Sequence, residues 1–432
     1  MNYSIYLIYW IMILSFSKGL LAILGINETI SQLIIEFLIL LLFSIAVSNI
    51  LRRKKINGLG LLINLLLLFV ILLSFILTSI ESIKPILFLR NFFIYYIFFY
   101  SLFNINLRSR QKEKIKKLIF YLFLIQVIAA FIKLFIIGTT ENFIGIMSIS
   151  EGSIATIMPL FAIVYLLSNY LIYKYIKYLI LILLFISIGL ISKKIGIIFY
   201  IGILYIYLIY ISSSTKNIFL NMVLIQKFFK SIIYFSIIFS LFISLNPRTN
   251  PEHIVGGSID IEYLISYSEA YQTLNTRENM GIEGDGRFDA PGIVLNKMFD
   301  TGIINVLFGF GPGELVKSTL TKYKKPLLEK YHIGYGGRLG LIWITMQIGL
   351  IGLVLFLTFH ILLYKKVKKI YNRTKDKQYR VYLMTFLGFS IIYFLDFFTY
   401  SPSMILNPGL VLVYFYTFYY VLTYQKREFL NE

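Results

Sequence analysis

The sequence contains no cysteine and only three histidines, His253, His332 and His360. Disulfides, thiolate nucleophiles and thiolate–metal sites are therefore excluded, and a metal site built from histidine is disfavoured. Charge is also scarce. Only 14% of the 432 residues are charged, against about a quarter in an ordinary soluble domain. No repeat of 20 to 50 residues and no low-complexity linker divides the chain, and no phosphate-binding loop ends in Gly-Lys-Ser/Thr. The first apolar run, Tyr3 to Leu24, lacks a basic start and a small-residue cleavage site, so it reads as a retained helix rather than a signal peptide.

What is abundant is apolar sequence. Hydrophobic residues make up 58% of the chain and mean hydropathy is +0.79. Runs of about 20 apolar residues, the length needed to cross a bilayer as a helix, recur from end to end. The expectation is an all-α polytopic membrane protein, with one integrated membrane domain over residues 1–432. The net charge of +20 would suggest nucleic acid in a soluble protein. In a membrane protein it reads first as the lysine and arginine that mark cytoplasmic loops, so no nucleic-acid partner is expected.

Taken in order, the apolar runs predict twelve helices: Tyr3 to Leu24, Ile30 to Ile50, Leu59 to Ile80, Pro85 to Ile105, Leu118 to Ile137, Ile154 to Ile172, Tyr178 to Ile191, Ile195 to Ile211, Ser231 to Leu245, Leu339 to Tyr364, Val381 to Tyr400 and Gly409 to Tyr424. Arg52-Arg53-Lys54-Lys55, Arg108 to Lys117 and Lys365 to Arg380 fall on one side, which the positive-inside bias makes cytoplasmic. Both termini then lie inside, and residues 246–337 form one large external loop between the ninth and tenth helices. Most of the 41 basic residues lie in the short inside segments. Within the large loop, Ile259 to Thr276 and Pro291 to Phe308 have helical apolar spacing.

The informative charges are those the inside segments do not absorb. Lys193-Lys194, Arg90, Arg287 and Arg338 all map to the external rim. Arg277 is a further cation in the loop. Several cations on one surface suit a polyanion such as a pyrophosphate, with arginine giving bidentate contacts and lysine a point charge. The blander account is that each reaches lipid headgroups or pairs with a neighbouring Glu or Asp. Glu36, Lys133 and Asp396 fall inside spans on separate helices. Glu36 and Lys133 are expected to pair or reach polar neighbours, while Asp396, near Tyr400, could join the external site. For a general base, His332 competes with the carboxylates Glu262, Glu269, Glu283, Asp285 and Asp289, and sequence does not rank them.

Four local patterns, in order, resemble the O-antigen ligase/polymerase superfamily of bacterial envelope polysaccharide synthesis. Ser192-Lys193 stands where that family has Ser-Arg. Gly286-Arg287-Phe288 resembles its Gly-Arg-aromatic segment in the large loop. Gly309-Phe310-Gly311-Pro312-Gly313 resembles its glycine-rich turn. Arg338, followed after ten residues by Gly349 and then Gly352, resembles its loop-exit pattern. Arg at 338, where ligases carry His, tilts the resemblance toward a Wzy-type polymerase, and Lys at 193 departs from the family's Arg.

The resemblance implies a GT-C-like fold and a metal-independent, inverting glycosyltransferase without a cofactor. Its substrates would be undecaprenyl-pyrophosphate-linked oligosaccharides at the outer face of the cytoplasmic membrane, and its companions a chain-length regulator and a flippase. Arg287 and Arg338 would be catalytic, with Lys193, Lys194, Arg90 and Arg277 on the pyrophosphate and Asp285 or His332 as base. Two alternatives stand beside polymerisation of O-antigen or capsule repeat units. One is a ligase moving finished glycan to lipid A core or another acceptor, and the other is a lipid-linked oligosaccharide flippase.

Overall fold

The computed structural model describes residues 3–54, 56–78, 83–137, 145–147, 153–192, 196–212, 251–252, 254, 256–258, 260–263, 265–266, 286–316, 326–333 and 338–424. Among them there are helices and no strands. The helices are α1 (Tyr3–Phe16), α2 (Lys18–Ile23), α3 (Glu28–Arg53), α4 (Leu61–Thr78), α5 (Ile83–Asn104), α6 (Ser109–Ile137), α7 (Ile154–Tyr173), α8 (Lys177–Ile191) and α9 (Gly196–Ser212). They continue with α10 (Asp289–Asp300), α11 (Ile303–Phe308), α12 (Pro326–Glu329), α13 (Gly340–Tyr371), α14 (Lys377–Thr399), α15 (Ser403–Leu406) and α16 (Pro408–Tyr424). Seven of these, α3, α4, α5, α6, α7, α13 and α14, are long and apolar enough to cross a membrane.

Helices stand at the expected positions wherever the chain is described, and the expected ninth, Ser231 to Leu245, lies outside the described residues. Two expectations need correction. The run Tyr3 to Leu24 is not one helix: Ser17 turns its hydroxyl back to the Ile13 carbonyl, α2 starts anew at Lys18, and Lys18 reaches the Gln32 Oε1 at 3.2 Å. The run Pro291 to Phe308 is divided into α10 and α11 by Gly302, whose φ of 112° a side chain would resist. The other loop segment, Ile259 to Thr276, lies largely outside the described residues.

The two ends of the bundle differ chemically. One is basic and tied by tyrosines. Lys116 pairs with Glu113 at 2.6 Å and donates to the Tyr382 hydroxyl at 2.7 Å, while the Tyr416 hydroxyl donates to the Lys112 carbonyl at 2.7 Å. These contacts fasten the start of α6 to α14 and α16. Arg380 joins the α13–α14 turn by donating to the Tyr371 hydroxyl at 2.6 Å. Arg52 and Arg53 end α3 at the pole of its dipole that favours cations.

At the opposite end the large loop is built into the bundle. Helix α13 is broken at Gly349, with φ 67° and ψ −173°, about 14 Å along from its first residue. A broken helix in lipid needs new partners for the amides and carbonyls it releases. The loop supplies a donor to one carbonyl beside the break. The Phe310 amide donates to the Met346 carbonyl at 2.7 Å, and the Gly313 amide donates to Gln347 Oε1 at 3.1 Å. Ser74 of α4 donates to the Phe308 carbonyl at 2.6 Å. Backbone therefore touches backbone. A Cβ on Gly349 would lie 2.2 Å from the Leu307 oxygen, and one on Gly309 would lie 2.6 Å from the Gln347 carbonyl carbon. Gly313 meets Lys84 in the same way, at 2.1 Å from its oxygen. Gly352 is less constrained, since the atoms nearest a Cβ there belong to the Ile348 side chain rather than to backbone.

Gly349→Ala is expected to combine left-handed strain with overpacking and to cost at least about 1–3 kcal/mol. Gly292→Ala, on an open face of α10 with nothing within 4 Å of the new Cβ, should be neutral or stabilising. Thermal unfolding in detergent checks the contrast. Equal midpoints for the two variants would refute the interlock.

Candidate functional site

The loop end gathers two polar centres. The first surrounds Glu314, the residue after the glycine turn, which is almost fully buried. Its carboxylate accepts from Lys84 Nζ of α5 at 3.0 Å, from the Tyr331 hydroxyl at 3.1 Å and from Lys330 Nζ. Tyr331 adds two further links, its ring meeting Phe310 at a tilt with centres 5.0 Å apart and its carbonyl accepting from Lys297 of α10. One carboxylate thus ties the glycine turn to α5 and to the segment before α13. Burial opposes its ionisation, but the hydrogen bonds and charges of Lys330 and Lys84 outweigh that and hold it below the ordinary carboxylate value.

The second centre surrounds Arg287. It sits at the start of α10, where Gly286 accepts the Ala290 amide and Asp289 lies in the first turn, favourable to the helix dipole. Its side chain is half-buried, with the guanidinium carbon 4.7 Å from the centre of the Tyr400 ring, a cation–π distance. It lies within electrostatic reach of Asp396 and of the Tyr200 hydroxyl. Tyr200 of α9 is 2.9 Å from the Thr399 hydroxyl, which places the start of α9 against the end of α14.

Asp396 is fully buried and organises the turn after α14. It accepts the Met404 amide at 3.0 Å and the Ser401 hydroxyl at 3.2 Å, and so fixes α15. Ser403 then donates to Ser153 at the start of α7 at 2.8 Å. The loop arginine thus rests on a tyrosine and beside a carboxylate whose own positions are set by three helix ends.

The remaining expected site residues fall in different places. Arg90 lies in a π-helical turn of α5, Leu89–Phe93, and donates to Glu36 Oε2 of α3 at 2.7 Å. Gln32 donates to the other Glu36 oxygen at 2.9 Å. Arg90 is therefore an ion-paired residue between two helices, and Glu36 meets the expectation of a partner. Lys133 donates to the Gly145 carbonyl. Arg338 is exposed immediately before α13, and His332 is exposed with φ 52°, a left-handed backbone. Glu262 is exposed. Lys193, Lys194, Arg277, Asp285, Glu269 and Glu283 lie outside the described residues, so the structure brings Arg287 together with Asp396 but says nothing of these six. His360 is fully buried, its ring stacked on Tyr393 at 4.3 Å. Among the described residues no three histidine or carboxylate side chains gather as a metal ion would require.

Sequence reasoning missed Glu314, Lys84, Tyr331 and Tyr200. One signal for Glu314 was visible: it is the lone acidic residue between Asp300 and Glu329, in a stretch rich in lysine. Tyr200 gave none, being one of 34 tyrosines. No protein-family model matches the chain, and no curated protein matches it.

Glu314→Gln leaves Lys84 buried without its counter-charge and should destabilise by about 3–5 kcal/mol, whereas Lys330→Ala, which removes an exposed partner, should cost about 1 kcal/mol or less. Because the Glu314 carboxyl is held low, its contribution is complete above about 4.5, the ordinary value, and is lost as pH falls through the depressed one. Thermal midpoints between pH 3 and 7 test this. A drop below pH 4.5 in the native chain that persists unchanged in Glu314→Gln would assign it to another group.

Proposed function

We propose that this chain is a membrane-embedded glycosyltransferase that joins polyprenyl-pyrophosphate-linked oligosaccharide repeat units, a polymerase of the O-antigen ligase/polymerase kind. The observation that carries the reading is Arg287: a loop guanidinium held half-buried against Tyr400, where the loop meets the end of the bundle. A fixed planar fork of donors in a partly dehydrated setting suits pyrophosphate oxygens.

The reaction is the one the family resemblance implies. An acceptor hydroxyl attacks the anomeric carbon of the donor, the carbon–oxygen bond to pyrophosphate breaks, and the lipid pyrophosphate leaves with the bond's electrons. Arg287 faces the charge that develops on the leaving group, joined by Arg338 and by Lys193 or Lys194. Preorganised cations of this kind lower such a barrier without reorganising during the step. The acceptor proton passes to a base, for which Asp285 and His332 remain the candidates. Asp396 and Tyr400 act as positioning residues, since they hold the surface on which Arg287 rests.

The flippase reading draws less support. Transporters use broken helices whose released backbone groups bind the cargo. In α13 the Met346 carbonyl is occupied by the Phe310 amide, so the break is filled by the chain itself. Between polymerase and ligase, Arg338 in place of histidine favours the polymerase. Chain growth by the purified protein with lipid-linked repeat units alone excludes a pure ligase.

Arg287→Ala should lower chain growth by about 10²–10³-fold, with lipid-linked repeat units accumulating and the folded yield unchanged. Arg287→Lys should fall between, since it keeps charge but loses the fork. Polysaccharide ladders on gels, read beside the amount of membrane-inserted protein, check both. A normal ladder from well-expressed Arg287→Ala would remove the basis of the reading.

A further inference from the structure

The basic end of the bundle holds a cavity that none of the chemistry above uses. It has a volume of about 460 Å³ and lies between α6, α7, α8, α14 and α16. That volume is in the range of cavities that hold small organic ligands or part of a larger one. Its depth is aromatic: the Phe161 and Phe389 rings meet at a tilt with centres 4.2 Å apart, and Phe123 lies 6.4 Å from Phe161. Its rim is cationic, with Lys116, Lys117 and Lys177 among the lining residues.

The three lysines are not equivalent. Lys116 is already neutralised, bound to Glu113 at 2.6 Å and resting on the Tyr382 ring at 4.4 Å. The second Glu113 oxygen takes the Tyr420 hydroxyl, so this carboxylate is fully engaged. Lys117 and Lys177 are exposed. Lys177 lies 5.2 Å from the Tyr175 ring and 5.4 Å from the Tyr178 ring, and no ion pair holds either lysine among the described residues. Two cations without an ion pair therefore line a cavity with an apolar, aromatic depth.

That arrangement selects an amphiphile with an anionic head. A water-soluble anion would leave the phenylalanine depth unfilled, and a neutral lipid would leave the lysines without a counter-charge. Basic pockets between transmembrane helices are suited to anionic lipid headgroups, and each lysine near a membrane surface contributes about a fivefold gain in such binding. The geometry points to a site for one anionic glycerophospholipid, drawn from the leaflet that faces the basic end. One acyl chain lies over Phe161 and Phe389, and the phosphate lies between Lys117 and Lys177. The site is separate from the Arg287 centre, on the other end of the bundle, and does not depend on the proposed glycosyl transfer.

The test is lipid retention by the full-length chain. The protein is purified in mild detergent, exchanged with phosphatidylglycerol, phosphatidylcholine or a long-chain polyprenyl phosphate, and weighed by native mass spectrometry. Phosphatidylglycerol should be retained in preference to phosphatidylcholine. Lys117→Ala with Lys177→Ala should weaken its retention by roughly thirtyfold. Thr417→Phe, which fills the cavity from α16 without touching charge, should abolish it, while the thermal midpoint of each variant stays near the native one. A diazirine-bearing phosphatidylglycerol should label residues 117–123. Equal retention of both phospholipids, displacement of phosphatidylglycerol by the polyprenyl phosphate, or labelling unaffected by Thr417→Phe would each overturn the assignment.

Discussion

Inside a bilayer no water is available to satisfy a free amide or carbonyl, and each one left unpaired costs several kcal/mol. The break in α13 at Gly349 creates that demand within the expected membrane span. The glycine turn of the large loop answers it at the Met346 carbonyl through the Phe310 amide, and the Gly313 amide adds a bond to the Gln347 side chain. Residues 308–313 are therefore packed into the bundle. Three glycines are needed because backbone must approach backbone more closely than any Cβ allows: Gly309 against Gln347, Gly349 against Leu307, and Gly313 against Lys84. The Glu314 carboxylate then closes the assembly by fastening Lys84, Lys330 and Tyr331 around the same turn. Through Lys297 and Tyr331 this fixed turn also holds α10, and Arg287 lies two residues before α10 begins.

The cations at the loop end divide by what neutralises them. Arg90 and Lys84 face buried carboxylates, Glu36 and Glu314, each on a different element, and serve to hold helices or loops together. Arg287 rests on an aromatic face beside a carboxylate that is already committed to two hydrogen bonds of its own turn. A cation–π contact fixes the plane of a guanidinium against the ring. That difference, rather than the number of cations, is what makes Arg287 the residue on which the proposed chemistry rests.

Much of the fold could be read from the sequence because spanning helices are specified locally. A run of about 20 apolar residues needs no partner to be recognised, and α7 at Ile154–Tyr173 or α14 at Lys377–Thr399 stands within a few residues of its expected place. The break at Gly349 could not be read, because the apolar run continues through it and only the approach of Leu307 gives the glycine its purpose. Pairing was hidden for the same reason. Glu36 and Arg90 are 54 residues apart, on α3 and α5, and only packing brings them to 2.7 Å. Within the candidate site, Arg287 and Asp396 were legible as charges too costly to lack a role near the membrane. Tyr200 was not, since its role comes from where α9 begins rather than from its neighbours in sequence. Lys193, Lys194, Arg277 and Asp285 lie outside the described residues, so their part of the site rests on sequence alone.

The central claim is that the loop carries Arg287 onto Tyr400 at the end of α14. The natural absence of cysteine makes this directly measurable, because any introduced pair is the only pair present. Arg287→Cys with Tyr400→Cys, treated in membranes with a short bifunctional maleimide, should give an internally crosslinked chain. Ser74→Cys with Phe308→Cys, across the α4 contact of the same loop, should crosslink as well and serves as the reference pair. Efficient joining at 74 and 308 with none at 287 and 400 would contradict the account, because the loop would then be anchored without delivering its arginine to the site.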